Sequence, residues 1–237
     1  MILAILQARM SSRRLPGKAM MPLLGRPMLG RQLDRLGRAR RIDRLVVATS
    51  LEADDNAIAD FCKGERVACF RGPLDDVLAR FHGAARAFGP ASAIVRLTAD
   101  CPLADWRVID RCIALHGESG ADYTGNAARR SFPVGLDVEA LSPAALDAAH
   151  REARRPEERE HVTLFVNQSP ERFRQAHLIQ ERRLGALRWC VDTPSDFAFV
   201  EAVYARLLAE LPDFGQGDIL ALLKREPRLA AINAAAA

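Results

Sequence analysis

The sequence predicts an α/β protein built on a mixed, mainly parallel sheet with helices on both faces. Short apolar runs alternate with helical patterns through the first half of the chain, as they do when parallel strands are joined by crossover helices. Two of these runs end in segments carrying charged residues, where an open α/β sheet places its ligands. At 237 residues, 49% hydrophobic and 27% charged, the chain is long enough to bury one continuous core without disulfide or metal staples.

The elements follow in order. Residues 2–7, 44–49, 67–71 and 93–97 read as strands, and residues 28–40, 54–63 and 74–88 as the helices between them. The third helix carries Leu74, Val77, Leu78, Phe81, Ala84, Ala85 and Phe88 at the 3.6-residue period of a covering helix. Beyond Pro102 the order loosens. A helix at 105–116 precedes strands at 121–124 and 135–141 and helices at 143–154 and 157–168. Ser142-Pro143 gives the first of that helix pair its start signal. Strands at 173–179 and 187–191 and helices at 195–210 and 216–225 complete the reading. There is no repeat, low-complexity linker or composition break. One domain over 1–237 is therefore expected, with a small β-rich insertion around 120–180 and a frayed tail at 226–237.

Composition excludes several classes. No apolar run approaches the roughly 20 residues that span a bilayer, and residues 1–6 lack the basic start of a signal peptide. A soluble cytoplasmic protein without a membrane partner is expected. The five cysteines, Cys62, Cys69, Cys101, Cys112 and Cys190, are odd in number and lack C-x-x-C spacing, so they read as unpaired thiols. Net charge is +4, but the arginines are dispersed and aromatics reach only 6%. A small anionic ligand fits this balance, whereas a stacking platform for nucleic acid does not.

Two segments carry chemistry. After the first strand, Gln7-Ala8-Arg9-Met10-Ser11-Ser12-Arg13-Arg14-Leu15-Pro16-Gly17-Lys18 places cations, hydroxyls and backbone donors where a polyphosphate would sit. It is neither a Walker A loop nor a Rossmann fingerprint, and the alternative is a solvated basic loop. Asp100, in Thr98-Ala99-Asp100-Cys101-Pro102-Leu103, ends a strand on the same sheet edge, and Asp192, in Arg188-Trp189-Cys190-Val191-Asp192-Thr193-Pro194, ends another apolar run. Mg2+ asks for one or two carboxylates beside phosphate oxygens. The alternative for each is an N-cap of the following helix, with Ser195 a rival cap beside Asp192. Of the histidines only His161 sits among charged residues, in Arg159-Glu160-His161, as a base or a helix residue. His82, His116, His150 and His177 show no acidic partner pattern.

These motifs, together with Gly135-Leu136-Asp137-Val138-Glu139 and Arg159-Glu160-His161-Val162-Thr163, occur in the order seen in the SpsF-like cytidylyltransferase family of spore-coat polysaccharide biosynthesis. The resemblance covers residues 1 to about 210. The first, second and last motifs are more distantly similar to the synthetases that activate ketodeoxyoctonate and acylneuraminate with CTP. The resemblance implies a nucleotidyltransferase-like fold of the nucleotide-diphospho-sugar transferase type, a Mg2+-dependent reaction and a homodimer. It puts Ala8 and Arg9 near the nucleotide, Ser12, Arg14 and Lys18 on the triphosphate, and Asp100 and Asp192 on the metal. Arg80 would hold base or ribose, its alternative being a solvent-facing helix charge. Asp137, Glu139, Arg159, Glu160 and His161 would lie toward the acceptor sugar, in a subregion around 120–180 that also serves dimerisation.

The chain departs from the family at Ser11-Ser12-Arg13-Arg14, where Gly-Ser-Thr-Arg is usual, and at Ala99, where glycine is usual. The implied reaction is transfer of CMP from CTP to a sugar hydroxyl, with Lys18, Arg14, Asp100 and Asp192 as catalytic residues. Another sugar nucleotidyltransferase or a glycosyltransferase is the nearest rival, although G-x-G-T-R and Asp-x-Asp are both absent. A non-catalytic nucleotide-binding or interaction protein is the rival from another class.

Overall fold

The computed structural model describes residues 1–234. Strand β1 (Ile2–Gln7) leads through the basic loop into a two-stranded hairpin, β2 (Pro22–Leu23) and β3 (Arg26–Pro27), and then into α1 (Met28–Leu36). The chain continues through β4 (Arg44–Ser50), α2 (Asn56–Gly64), β5 (Ala68–Gly72), α3 (Val77–Phe88), β6 (Ala93–Thr98) and α4 (Trp106–Ser119). Next come β7 (Tyr123–Gly125), β8 (Glu139–Leu141), α5 (Pro143–Glu152), α6 (Pro156–Glu160), α7 (Leu164–Asn167) and β9 (Gln175–His177). Helices α8 (Pro194–Leu207) and α9 (Gln216–Arg225) close the fold.

Seven strands form one sheet in the order β5-β4-β1-β6-β8-β7-β9, in which β8 alone runs against the others. Period-two alternation sends successive residues to opposite faces. Ala4, Leu6, Val95 and Leu97 join the core beneath α1, α4 and α8, whereas Leu3, Ile5, Val46 and Ile94 join the core beneath α3 and α5. Helices therefore cover both faces, as the alternation predicts. Strands β1 and β6 are parallel neighbours with Gln7 opposite Thr98. That register brings the basic loop and the Asp100 turn out of the sheet side by side.

The later half differs from the sequence expectation in four places. Residues 120–180 supply β7, β8 and β9 to the edge of the main sheet, so the β-rich segment is continuous with it. The helix expected at 157–168 is interrupted: His161 leaves helical geometry (φ −99°, ψ 82°) as Thr163 turns inward to donate to Glu139 Oε1 at 2.9 Å. Residues 187–191 form no strand. Their only pairing is a bridge between Val134 and Arg188, because Trp189 and Val191 donate to the Val134 and Asp100 carbonyls of loops. The tail is not frayed over its described part. Residues Pro227–Ala231 form a 3-10 turn with Leu229 buried, and Asn233 Nδ2 donates to Arg188 O at 2.9 Å. Residues 235–237 lie outside the described chain.

Candidate active site

The basic loop is folded back on itself by its own backbone. Gly17 N donates to Met10 O at 2.9 Å, and Gly17 adopts φ +73°, the left-handed region in which only glycine is unstrained. The loop is anchored from below by Asp55, which is 2% exposed. Its Oδ1 accepts Met10 N at 2.7 Å and its Oδ2 accepts Ser50 N at 2.9 Å. Burial would push this carboxyl up, but the bonds from Ser50 and Met10 hold it below the ordinary value. Lys18 then opens a 3-10 turn and points across the sheet edge.

There it meets both acids. Lys18 Nζ lies 3.0 Å from Asp192 Oδ1 and 3.6 Å from Asp100 Oδ2, and donates to Val191 O at 2.7 Å. A backbone bond from Val191 N to Asp100 O, 2.7 Å, ties the two acidic segments directly. Gly135 makes room for this junction. With φ +105°, its absent Cβ would lie 2.5 Å from Cys190 N.

Asp192 Oδ2 also receives Arg14 at 2.9 Å and Arg188 at 2.7 Å. Burial opposes ionisation of Asp192, but the Lys18 and Arg188 bonds and the Arg14 charge hold its carboxyl below the usual range. Neither acid caps a helix: Asp105 caps α4, and Thr193, not Ser195, caps α8. Ala99 sits in ordinary backbone geometry, since it is not among the positive-φ residues, and its N–H bonds Gln7 O at 2.8 Å. The glycine usual there is not required.

A cavity of about 370 Å³ opens over this junction. The basic loop supplies one wall with Ala8, Arg9, Ser12, Arg13 and Arg14, Lys18 and the two acids form one end, Arg96 and Thr98 lie on the floor, and Glu160 and His161 stand opposite. A second cavity of about 540 Å³ adjoins it, sharing Arg9, Arg13 and Glu160 and bounded by Leu74, Asp76 and Arg159.

Three expected site residues stand elsewhere. Arg80 is fully buried rather than solvent-facing and lines neither cavity. It donates to Pro73 O at 2.5 Å and Leu74 O at 3.1 Å, bracing the second cavity's wall. Burial, together with the charge of Arg9, pushes its pKa down to about 10. Asp137 pairs with Arg130 at 2.7 Å outside both cavities. Glu139, 5% exposed, lies behind the floor, where it accepts from Arg96, Tyr123 and Thr163. Arg159 spans to Asp76 at 2.5 Å. His82 gains an acidic partner after all, Asp147 on α5 at 2.8 Å, through a helix contact that local sequence does not show.

The cytidylyltransferase family model matches residues 3–222. The chain belongs to the cytidylyltransferase family. This cytidylyltransferase is 34% identical to the spore coat polysaccharide biosynthesis protein SpsF of Bacillus subtilis, over 95% of each chain. A cytidylyltransferase structure from Leptospira borgpetersenii superposes with TM-score 0.91 and 30% identity, covering 97% of this chain and 96% of that one. The structure of CMP:2-keto-3-deoxy-manno-octonic acid synthetase with CTP has TM-score 0.64 at 15% identity, covering 86% and 98%. That likeness shows the nucleotidyltransferase fold.

The donor set of the enzyme fits a hard divalent cation. Two carboxylates converge on one ammonium at the cavity end, and among the described residues no third acidic, histidine or cysteine ligand joins them. A hard divalent ion held there would need further oxygen ligands beyond these two carboxylates. Sequence reasoning missed three supporting residues. Asp55 is marked only by its place after β4, and Arg188 only by its membership of the last motif. Arg96 is marked by being a charge inside an apolar strand.

Proposed function

We propose that the protein transfers CMP from CTP to a hydroxyl of a sugar, releasing pyrophosphate, to make an activated sugar for surface polysaccharide or glycan synthesis. The observation that carries this reading is the contact of Lys18 with both Asp100 and Asp192 at the end of an arginine-lined cavity. Arg9 and Arg13 join both cavities and are the cations placed to follow a triphosphate across them.

In the reaction the hydroxyl oxygen bonds to the α-phosphorus and the bond to the bridging oxygen of the β-phosphate breaks. Pyrophosphate leaves with that electron pair, and the hydroxyl proton passes to water. The protein's task is positioning and charge neutralisation rather than covalent chemistry. Lys18 and Arg14 balance the developing charge on the leaving group. Asp100 and Asp192 would hold Mg2+, which supplies Lewis-acid stabilisation of phosphate oxygens and lowers the pKa of the attacking hydroxyl. The Ser12 hydroxyl and the loop's backbone amides orient the phosphates. Glu160 and His161 stand on the side left for the acceptor. A CTP-bound relative of the same fold and a polysaccharide-pathway relative support the nucleotide and the product class. Five unpaired thiols support a reducing compartment, and the reading includes a cytoplasmic homodimer.

The test is mass spectrometry of products after incubation with Mg2+, each of the four NTPs, and a panel of ulosonic acids and amino sugars. A CMP-linked sugar with equimolar pyrophosphate is expected from CTP alone. Equal turnover of UTP or GTP would favour the broader sugar nucleotidyltransferase reading, and nucleotide binding without any product would favour a non-catalytic role.

A further inference from the structure

A third cavity, of about 380 Å³, lies between α1 and the C-terminal part of α8 and shares no residue with the two cavities of the active site. Arg31 and Arg35, four residues apart, present their side chains on one face of α1, and Arg38 follows just past the helix end. All three line the cavity. Arg31 donates from Nε to Leu23 O at 3.0 Å and from Nη2 to Leu24 O at 2.6 Å. Arg35, 4% exposed, donates from Nε to Ala104 O at 2.7 Å and from Nη2 to Phe214 O at 2.8 Å. Arg38 donates from Nη1 to Pro212 O.

Among the described residues none of these guanidiniums is paired with a carboxylate. Asp34 is the one acid on the wall, and its two oxygens are taken by Arg26 at 3.0 and 3.1 Å. Burial, and then the like charge of Arg38, push the Arg35 pKa below its ordinary value against the pull of Tyr204 and Asp105. Carbonyl dipoles orient the three cations but carry no net charge, whereas a charge withdrawn from water is ordinarily paired with an opposite one. Donors remain for that purpose. Nη1 of Arg31, Nη1 of Arg35, and Nε and Nη2 of Arg38 make no bond within the protein, and none of them is sealed from solvent.

The facing wall is apolar, formed by the Tyr204 ring, Leu208 and Pro212. Three guanidiniums suit the several oxygens of a phosphate better than the two of a carboxylate, and the volume falls within the range of small-molecule sites, about 300–1,000 Å³. We infer that this cavity binds a phosphate monoester, its phosphate held by Arg31, Arg35 and Arg38 and its organic group lying against Tyr204 and Leu208. The site stands apart from the cytidylyl-transfer reading and does not depend on it. Arg35 and Tyr204 also hold the segment after Asp100, through Ala104 O and Pro102 O, so the test leaves both in place.

The test is calorimetric titration without Mg2+, using phenyl phosphate, glycerol 3-phosphate and inorganic phosphate, with phenol and glycerol as uncharged counterparts. At least one ester binds with a Kd of about 1 mM or tighter, inorganic phosphate binds more weakly, and the uncharged counterparts do not bind. Arg38→Gln, at a partly exposed position, weakens the ester about tenfold or more, the loss of a charge-assisted hydrogen bond. Asp34→Asn removes the opposing charge and tightens binding, an effect that mere loss of structure would not produce. Arg9→Gln/Arg13→Gln, which strips the basic loop of two cations, leaves this site intact. Absence of ester binding, inorganic phosphate binding as tightly as the esters, unchanged affinity in a folded Arg38→Gln, weaker binding in Asp34→Asn, or a loss in the loop variant overturns the inference. Each of these outcomes leaves the transfer reading standing.

Discussion

Lys18 is 13% exposed and spends its ammonium on two carboxylates and one carbonyl. Removing it leaves Asp100 and Asp192 facing one another and strips a fixed cation from the cavity proposed to take the triphosphate. Lys18→Ala is expected to lower kcat/KM for CTP about 10²–10³-fold, the scale of losing one preorganised stabilising group. Steady-state kinetics with pyrophosphate detection checks this, and an unchanged value removes Lys18 from the site. The same substitution makes the carboxylate pair a better cation site. Mg2+ without nucleotide should raise the melting temperature of the variant more than that of the wild type.

The elements show what was legible beforehand. Strand β1 and helix α9 stand at the residues the pattern marks, because an apolar run and an amphipathic period are local properties. Asp100 and the loop cations are legible as residues that follow β6 and β1, whereas Asp192 follows an apolar run that forms no strand. The roles of Glu139 and Arg80 are not legible, because burial depends on what packs above a residue, and both are charged groups closed over by other elements. The order of the tail is hidden in the sequence for a related reason. Its small residues carry no periodic signal, yet Asn233 is 5% exposed and bonds both Arg188 O and Asp196 Oδ1, at 2.9 and 3.2 Å. Arg188 in turn holds Asp192, so the tail braces that carboxylate from behind. Asn233→Ala should destabilise the fold by about 1–3 kcal/mol, the cost of unsatisfied buried partners, as read from urea midpoints. It should also raise the Mg2+ concentration needed for half-maximal rate. A change in neither quantity would make the tail contact incidental.

At the scale of the whole molecule, the shifted histidines and carboxylates act in one direction as pH falls below neutrality. Burial holds His116, His150 and His177 below the ordinary histidine value. The unfolded chain therefore takes up protons first, and stability falls as pH drops below about 6.5. Asp55, Glu139, Asp192 and Asp196 also titrate below their ordinary values. Their contribution is complete above about pH 4 and disappears as pH falls through the folded values. Urea midpoints should fall from pH 7.5 to 5.5 and again below about pH 4, and a higher midpoint at pH 5.5 would contradict this.

The same long-range architecture assembles the reactive end. Parallel pairing of β1 with β6 and one backbone bond from Val191 to Asp100 bring together three segments far apart in the chain. The most direct measurement of that assembly is the Mg2+-dependent rate of pyrophosphate release from CTP by Asp192→Asn, set beside the variant's CTP affinity. A loss of about 100-fold or more in rate, with CTP still bound and the fold intact, is the expected result. A rate within about threefold of wild type would show that the Asp100 and Asp192 pair does not serve the reaction.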